Sequence, residues 1–465
     1  MEHLSEIHDL DPDAYAQPRL VDGLARGVLD VFFRRVEVQG ADRIPEEGPV
    51  VLVGNHVNGL LDPAVFAAYL PRTPRFLGKS TLWKIAALRP FIRLAAAIPV
   101  YRRTDPGVDP TKNAETFRRC HEVLAAGGAI AIFPEGRSHD EPGLVELKTG
   151  VSRIVLQAEE RFPGVGTRIV PVGLTFDDKT RFRSRLLLRV GDPIDPAPEL
   201  EAYGADPRGA VRRLTERVRA GLEAVTLSYG SWDEARLIER AAEIWSRPVD
   251  DAPAERSLAD AFDVRRAFLD GYNDLLERCP EEVHGVAEEV REYDELLDLH
   301  RLRDAEVASR YPPSTVLRFV AKSLWLLLVR LPLGFVGILI NALPYRLADV
   351  LSRRFGSSRD VVATYKVFPA LVLYPVTWLA VAVIAGWFAG LWIGVAAFFL
   401  GPITGVFAVR YLQRQRFFLR QARAFLLLRS GRRGVAELRR QRQRVLGAVR
   451  ALARRLDPDP GPQPA

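Results

Sequence analysis

No acidic, basic or histidine side chain occurs between Val367 and Val409. That run is about twice the ~20 residues one membrane-crossing helix needs, and charge interrupts the core helices of soluble domains well before such a length. Near its middle, "IAGWFAGLW" joins glycine to tryptophan, a composition suited to a turn at a membrane interface. A transmembrane helical hairpin over about 367–409 is therefore expected. Cysteine is almost missing: Cys120 and Cys279 are the only two and lie far apart. Their scarcity argues against a disulfide framework or a zinc site and fits a reducing compartment. The opening stretch, "MEHLSEIHDLDPDAYAQP", is acidic and has no apolar core, so no secretory signal is expected. Metal-ligand spacing and a phosphate-cradling glycine loop are both absent, and Gly127-Gly128 reads as a helix stop.

With 48% hydrophobic and 26% charged residues, the chain is neither disordered nor wholly membrane-embedded. Residues 1–35 hold "PRLVDGLARGVLDVFFRR", where Leu, Val and Phe recur at helical spacing among arginines. That pattern fits an amphipathic helix lying on a surface, a membrane surface among the candidates. Over 36–199, strand-like runs ("PVVLVGN", "AAAIPVY", "GAIAIFPEG", "TRIVPVGLTF", "SRLLLRVGDPI") alternate with helical ones ("PAVFAAYL", "AETFRRCHEVLAAG", "TGVSRIVLQAEERF"). The alternation predicts an α/β domain, a mixed sheet flanked by helices, with functional residues at strand ends.

Residues 200–312 are polar with helical periodicity and read as a helical extension. The membrane region, 313–409, begins with a stretch to about 345 that Arg318, Lys322 and Arg330 interrupt. This stretch reads as an amphipathic or re-entrant element, with a third span as the alternative. The tail, 410–465, is basic and helical, and Glu437 is the only acid between Arg410 and Arg455. Beside a hydrophobic hairpin, such a tail points to anionic lipid head groups, at about 1 kcal/mol per basic residue. No nucleic-acid partner is expected, because stacking aromatics and a known module are missing.

Two motifs carry chemistry. "VLVGNHVNGLLDPAVF" ends an apolar strand at Asn55 and His56, and Asp62 follows. Alone, such a histidine reads as readily as a solvated turn residue. "AIAIFPEGRSHD" ends a second strand in Glu135, Gly136, Arg137 and Ser138, putting a carboxylate, a pliant backbone and a guanidinium at the sheet edge. A guanidinium there can clamp phosphate with its fork of donors. The bland counterpart is a turn with a surface salt bridge.

With "IPVYRR" holding Arg102, "IVPVGL" around Pro171 and "FLGKSTLW" holding Lys79, these blocks stand in the order of a known family. The sequence resembles the phospholipid/glycerol acyltransferases, which include glycerol-3-phosphate and 1-acylglycerol-3-phosphate acyltransferases, over residues 36–196. It departs from them in one place: the family's first motif usually has four residues between His and Asp, and here Val57 to Leu61 intervene. Neither spacing puts the pair on one helix face, so an irregular turn must separate them. Asn58-Gly59 tolerates positive φ and can absorb the extra residue.

The resemblance implies an integral membrane enzyme with its catalytic domain on the cytoplasmic face. It would move an acyl group from acyl-CoA or acyl-carrier protein, co-substrates rather than cofactors, to the hydroxyl of 1-acylglycerol-3-phosphate. Sn-1 acylation of glycerol 3-phosphate or dihydroxyacetone phosphate is the alternative, and a non-enzymatic lipid-binding protein the rival of another class. His56 would be the general base and Asp62 its orienting carboxylate. Lys79, Arg102 and Arg137 would hold the acceptor phosphate, with Arg103 a weaker candidate. Glu135 would position the acceptor or brace those cations. Amides near Gly136 or in the His56 turn are the candidate oxyanion donors. "TFDDKTRFRSR" reads as an exposed loop between strands before it reads as a donor contact.

Overall fold

The computed structural model describes residues 20–102, 105, 107–247, 256–308, 313–355, 359–430 and 432–456. The chain divides into two compact units, Met1–Ser228 with Gly356–Thr364, and Tyr229–Phe355 with Tyr365–Ala465.

The first unit is built on seven strands: β1 (Arg35–Gln39), β2 (Val50–Gly54), β3 (Arg75–Lys79), β4 (Ile98–Val100), β5 (Ala129–Ile132), β6 (Arg168–Phe176) and β7 (Arg185–Val190). Their order is β1-β7-β6-β2-β5-β3-β4. Every neighbouring pair is parallel except β6 with β7. Parallel strands need crossovers, and these are supplied by α2 (Leu61–Tyr69), α3 (Arg89–Leu94), α4 (Asn113–Ala125) and α5 (Gly150–Arg161). Strands β2 and β5, "VVLVG" and "AIAI", are buried at every residue, as central strands covered on both faces must be. Val51, Val53, Ile130 and Ile132 share one core with Val123 and Leu124 of α4 and with Ile154 and Val155 of α5.

Two strands were not legible as such in the sequence. Strand β1, "RVEVQ", lies at the sheet edge with its side chains half-exposed, and β3, "RFLGK", is short and buries only Phe76. Helices α6 (Ala197–Tyr203) and α7 (Pro207–Val225) lie in the stretch read as the start of the helical extension. They pack on the sheet instead, with Leu214, Val218 and Leu222 of α7 in the core of the first unit. Helix α1 (Leu20–Phe32) forms where the amphipathic pattern places it, and Leu29 and Phe32 on its apolar side are buried within the protein.

The second unit is helical: α8 (Trp232–Ser246), α9 (Leu258–Arg278), α10 (Pro280–His300), α11 (Asp304–Ala308), α12 (Pro313–Phe355), α13 (Arg359–Ala389, its first residues grouped with the first unit), α14 (Leu391–Ser430) and α15 (Arg432–Leu456). The hairpin expected from sequence is present as α13 and α14. They break at Gly390, whose φ of +96° suits the residue without a Cβ. Between α8 and α10, the basic terminal helix α15 buries Leu438, Val445 and Leu446. Its Arg442 is wholly buried and donates from Nε to Asp304 Oδ1 at 2.8 Å; Tyr293 donates to the same carboxylate at 2.9 Å.

Residues 313–345, read as an amphipathic or re-entrant element with a third span as the alternative, lie within α12. This helix is a single one despite Pro332 and Pro344, and it exposes Trp325, Leu328, Phe335 and Leu339. Three helices, Val320–Phe355, Arg359–Ala389 and Leu391–Arg423, are long and apolar enough to cross a membrane. Gly337 of α12 lies against the Thr404 carbonyl of α14, the close approach that small residues allow between membrane helices.

Candidate active site

The site forms at the carboxyl ends of β2 and β5, which are parallel neighbours with Val53 beside Ile132. That register sets the turn holding His56 against the turn holding Glu135. Asn55 anchors the first turn to β6: its Nδ2 donates to the Leu174 carbonyl at 3.1 Å, and its Oδ1 accepts from the Leu174 amide at 2.7 Å. The His56 ring stacks on Phe133, centroids 4.4 Å apart. Gly54 leaves room for this arrangement, since a Cβ there would lie 2.6 Å from Phe66 and 3.1 Å from Phe133.

Asp62 sits in the first turn of α2 and is completely buried. Its Oδ2 accepts from the Asn58 amide at 2.8 Å and lies 3.0 Å from His56 Nδ1. A carboxylate only accepts, so Nδ1 carries the proton and Nε2 keeps its lone pair. The extra residue of the motif is absorbed where expected, at Gly59, with φ +40°. Asn58, fully buried, donates from its side chain to the Lys179 carbonyl at 3.2 Å. Lys179 belongs to the β6–β7 loop, and its ammonium meets Asp140 at 2.7 Å and the His139 carbonyl at 3.1 Å. That loop is the "TFDDKTRFRSR" segment, so it supports the base from behind.

Glu135 does not stand free to meet an acceptor. It is buried, and its Oε2 accepts from the His56 backbone amide at 2.6 Å. Its Oε1 faces His139 Nε2 at 2.9 Å. His139 Nδ1 accepts from the Glu141 amide at 3.1 Å, which fixes the proton on Nε2. The His139 amide in turn donates to the His56 carbonyl at 3.1 Å. Glu135 and His139 thus clamp both backbone polar groups of His56. Of the amides near Gly136 and in the His56 turn, that of His56 is engaged with Glu135 and that of Gly136 with the Phe133 carbonyl. Among the described residues, the Val57 amide has no such partner.

The cations come from the other side of the sheet. Lys79 ends β3, paired with Val100 of β4, and Arg102 follows β4. Asp105 gathers them: Arg102 donates to its two oxygens at 3.2 Å each, and Lys79 stands 3.3 Å away. Burial pushes the Asp105 carboxyl upward, but the hydrogen bonds and charges of Arg102 and Lys79 outweigh it and hold it below its ordinary value. Arg102 also donates to the Gly136 carbonyl at 2.7 Å, tying the cation side to the FPEGRS turn. Arg137 is exposed and has no partner among the described residues. Arg103 lies outside them. Sequence reasoning missed Asp105, His139 and Lys179; the first two lie within four residues of motif positions, but no local pattern assigns them a role. Among the described residues, no cluster could hold a metal ion.

A strand-end histidine with a buried carboxylate partner is equipped for acid–base chemistry, and the cations gathered at Asp105 are equipped to meet an anion. A family model described as "Acyltransferase" matches residues 35–175, and one described as "Glycerol-3-phosphate acyltransferase 2 C-terminal domain" matches 251–460. Both matches are to acyltransferase models, and the resemblance to the glycerolipid acyltransferases extends over both regions. It is 28% identical to glycerol-3-phosphate O-acyltransferase 2 of Saccharomyces cerevisiae over 58% of this chain and 38% of that protein. It is 24% identical to the chloroplastic 1-acyl-sn-glycerol-3-phosphate acyltransferase LPAT1 of Arabidopsis thaliana over 30% of this chain and 36% of that one. The chain therefore spans under two thirds of the length of these relatives. Among solved structures it is similar to the 1-acyl-sn-glycerophosphate acyltransferase PlsC of Thermotoga maritima, with 20% identity, TM-score 0.33, and coverage of 44% of this chain and 78% of that one.

Proposed function

We propose that the chain is a membrane-bound O-acyltransferase that moves a fatty acyl group from acyl-CoA or acyl-carrier protein to a hydroxyl of glycerol 3-phosphate. The observation that carries this reading is the His56–Asp62 pair, at 3.0 Å with Nε2 free of protein partners among the described residues. The acceptor oxygen bonds to the thioester carbon while its proton passes to His56 Nε2, and Asp62 stabilises the resulting imidazolium. Collapse of the tetrahedral intermediate breaks the carbon–sulfur bond, and the imidazolium returns its proton to the departing thiolate. Such a base contributes typically ~10²–10⁴-fold. The Val57 amide is the candidate donor to the oxyanion. Lys79, Arg102 and Arg137 meet the acceptor phosphate, with Asp105 holding the first two in place.

The choice of acceptor rests on the second half of the chain. A match over 251–460 to a glycerol-3-phosphate acyltransferase C-terminal domain, and a yeast relative of that printed activity over 58% of the chain, favour glycerol 3-phosphate. Lysophosphatidate, preferred on the sequence alone, is the second reading, supported by a plant relative over 30% of the chain. The catalytic unit faces the cytoplasm in this reading: Arg346, Arg353, Arg354, Arg359 and Lys366 precede the hairpin and the arginine-rich tail follows it, a bias that marks that side.

The test is turnover of radiolabelled acyl-CoA by the purified full-length chain with each acceptor in turn, alongside His56→Ala. Glycerol 3-phosphate turnover lost in the variant supports the proposal. Lysophosphatidate turnover alone selects the second reading. No transfer to either acceptor by the wild type, despite retained lipid binding, makes the chain a lipid-binding protein.

A further inference from the structure

Residues 359–364 cluster with the catalytic unit although they lie more than a hundred residues beyond its sheet and open the apolar helix α13. Three ties account for this. The Leu60 amide donates to Thr364 Oγ1 at 3.2 Å. Ser138 Oγ donates to Asp360 Oδ2 at 2.5 Å, and Asp360 is 6% exposed. Arg359 stands 3.8 Å from Asp140, which also pairs with Lys179.

The first tie fills a gap in local structure. Helix α2, which carries Asp62, starts at Leu60, a residue with no oxygen to cap the first turn's amides. Thr364 supplies that acceptor from across the fold. The contact is close as well as polar. A Cβ on Gly59 would lie 2.8 Å from Thr364 Oγ1 and 3.2 Å from the Asp360 carbonyl, so no larger residue fits beneath this helix turn. The second tie reaches the other motif, at the serine of FPEGRS. One turn and a half of α13 therefore holds both the loop between His56 and Asp62 and the turn after Glu135.

We infer that Thr364 and Asp360 are positioning residues for the base: the first turns of an apolar, membrane-type helix fix the loop that sets the His56–Asp62 geometry. This rests on the acyl-transfer reading, because it assigns the pair to that reaction. Neither residue touches His56, so their effect runs through the Leu60 amide and Ser138. Losing them loosens the orientation of the imidazole and leaves the cations around Asp105 undisturbed.

The test uses the full-length chain in detergent micelles, with acyl-CoA and glycerol 3-phosphate as substrates. Thr364→Val removes the hydroxyl at nearly constant volume, Thr364→Ser keeps it, and Asp360→Ala removes the second tie. One hydrogen bond lost from the loop is expected to lower kcat about fivefold to tenfold, with the acceptor KM within twofold of wild type and Thr364→Ser restoring kcat. A readout that needs no turnover accompanies the kinetics. The rate at which diethylpyrocarbonate modifies His56, read by mass spectrometry, is expected to rise in Thr364→Val and Asp360→Ala and to be normal in Thr364→Ser. Wild-type kcat and modification rate in both disruptive variants would overturn the inference, as would a loss that serine does not restore. A wild-type chain without transferase activity would sink the acyl-transfer reading alone, since the modification rates would still report on the loop.

Discussion

Replacing Glu135 by glutamine separates two accounts of the second motif. Family resemblance places this carboxylate on the acceptor, and its loss would then raise the acceptor KM. The structure buries it under His56 instead, with Oε2 2.6 Å from the His56 amide and Oε1 2.9 Å from His139 Nε2. Glutamine keeps one carbonyl oxygen, which can still accept from the His56 amide. Its NH₂ must then face the protonated Nε2 of His139, and His139 cannot switch tautomer without abandoning the Glu141 amide on Nδ1. The variant therefore loses the Glu135–His139 ion-pair contact, replaces the charged acceptor of the His56 amide by a neutral one and sets two donors against each other in a buried site. Each such loss is worth about 1.5–3 kcal/mol. If half or more of one such loss falls on the placement of His56, kcat drops about threefold to a hundredfold. The acceptor KM is expected to remain within about twofold. Steady-state kinetics with both substrates varied decides the matter, alongside His139→Ala. The two substitutions disturb one clamp, so the double variant should be little worse than the more damaging single one. A large rise in the acceptor KM at unchanged kcat would return Glu135 to the acceptor site and refute the clamp.

Asp105→Asn should raise the acceptor KM several-fold at near-normal kcat, since Arg102 and Lys79 lose the charge that gathers them; an effect confined to the acyl-CoA KM would move them to the donor. His121 is buried on α4, and burial first, then the charge of Arg161, push its pKa down to about 4. An unfolded chain takes up that proton near pH 6.5 and the folded one does not, so stability should fall as pH drops from about 6.5 towards about 4. Thermal melts across that window should show a shallower fall for His121→Gln, and identical slopes would remove His121 as a cause. For membrane sidedness, a cysteine at Gly390 in a Cys120→Ser, Cys279→Ser background should react with an impermeant maleimide in intact cells, and one in the tail should react only after lysis. Labelling of the tail first would invert the arrangement.

The His56–Asp62 contact was legible because it is local: a strand end, a turn that tolerates positive φ and a carboxylate six residues on are all written into one short segment. The α/β alternation was legible for the same reason, through β2 and β5, whose apolar runs are long enough to be read. The edge strand β1 and the short inner strand β3 carry charged or half-exposed residues and look like loops. The contacts of Glu135 were not legible because its partners, the His56 amide and His139, meet it only through the register of two strands distant in sequence. Asp360 lies 222 residues from Ser138, and nothing near it in sequence hints at the contact. Family resemblance supplied which residues matter; tertiary packing decided what each one touches.

Parity bears on how the apolar helices meet the membrane. Helix α15 follows all three candidates, yet it buries Leu438, Val445 and Arg442 against α8, α10 and α11, which precede them. A chain that returns to the same side crosses an even number of times, so three crossings would tear α15 from that core. Residues 359–364, the start of the second candidate, bond to the Leu60 amide and to Ser138 within the catalytic unit. A two-span arrangement, with α13 and α14 crossing around Gly390 and α12 returning to the side on which it starts, is the expected outcome of the maleimide test. Helix α12 is also the candidate whose apolar run Arg318, Lys322 and Arg330 interrupt, and arginine and lysine at the centre of a bilayer are costly. Length and hydropathy alone admit three spans; parity predicts two.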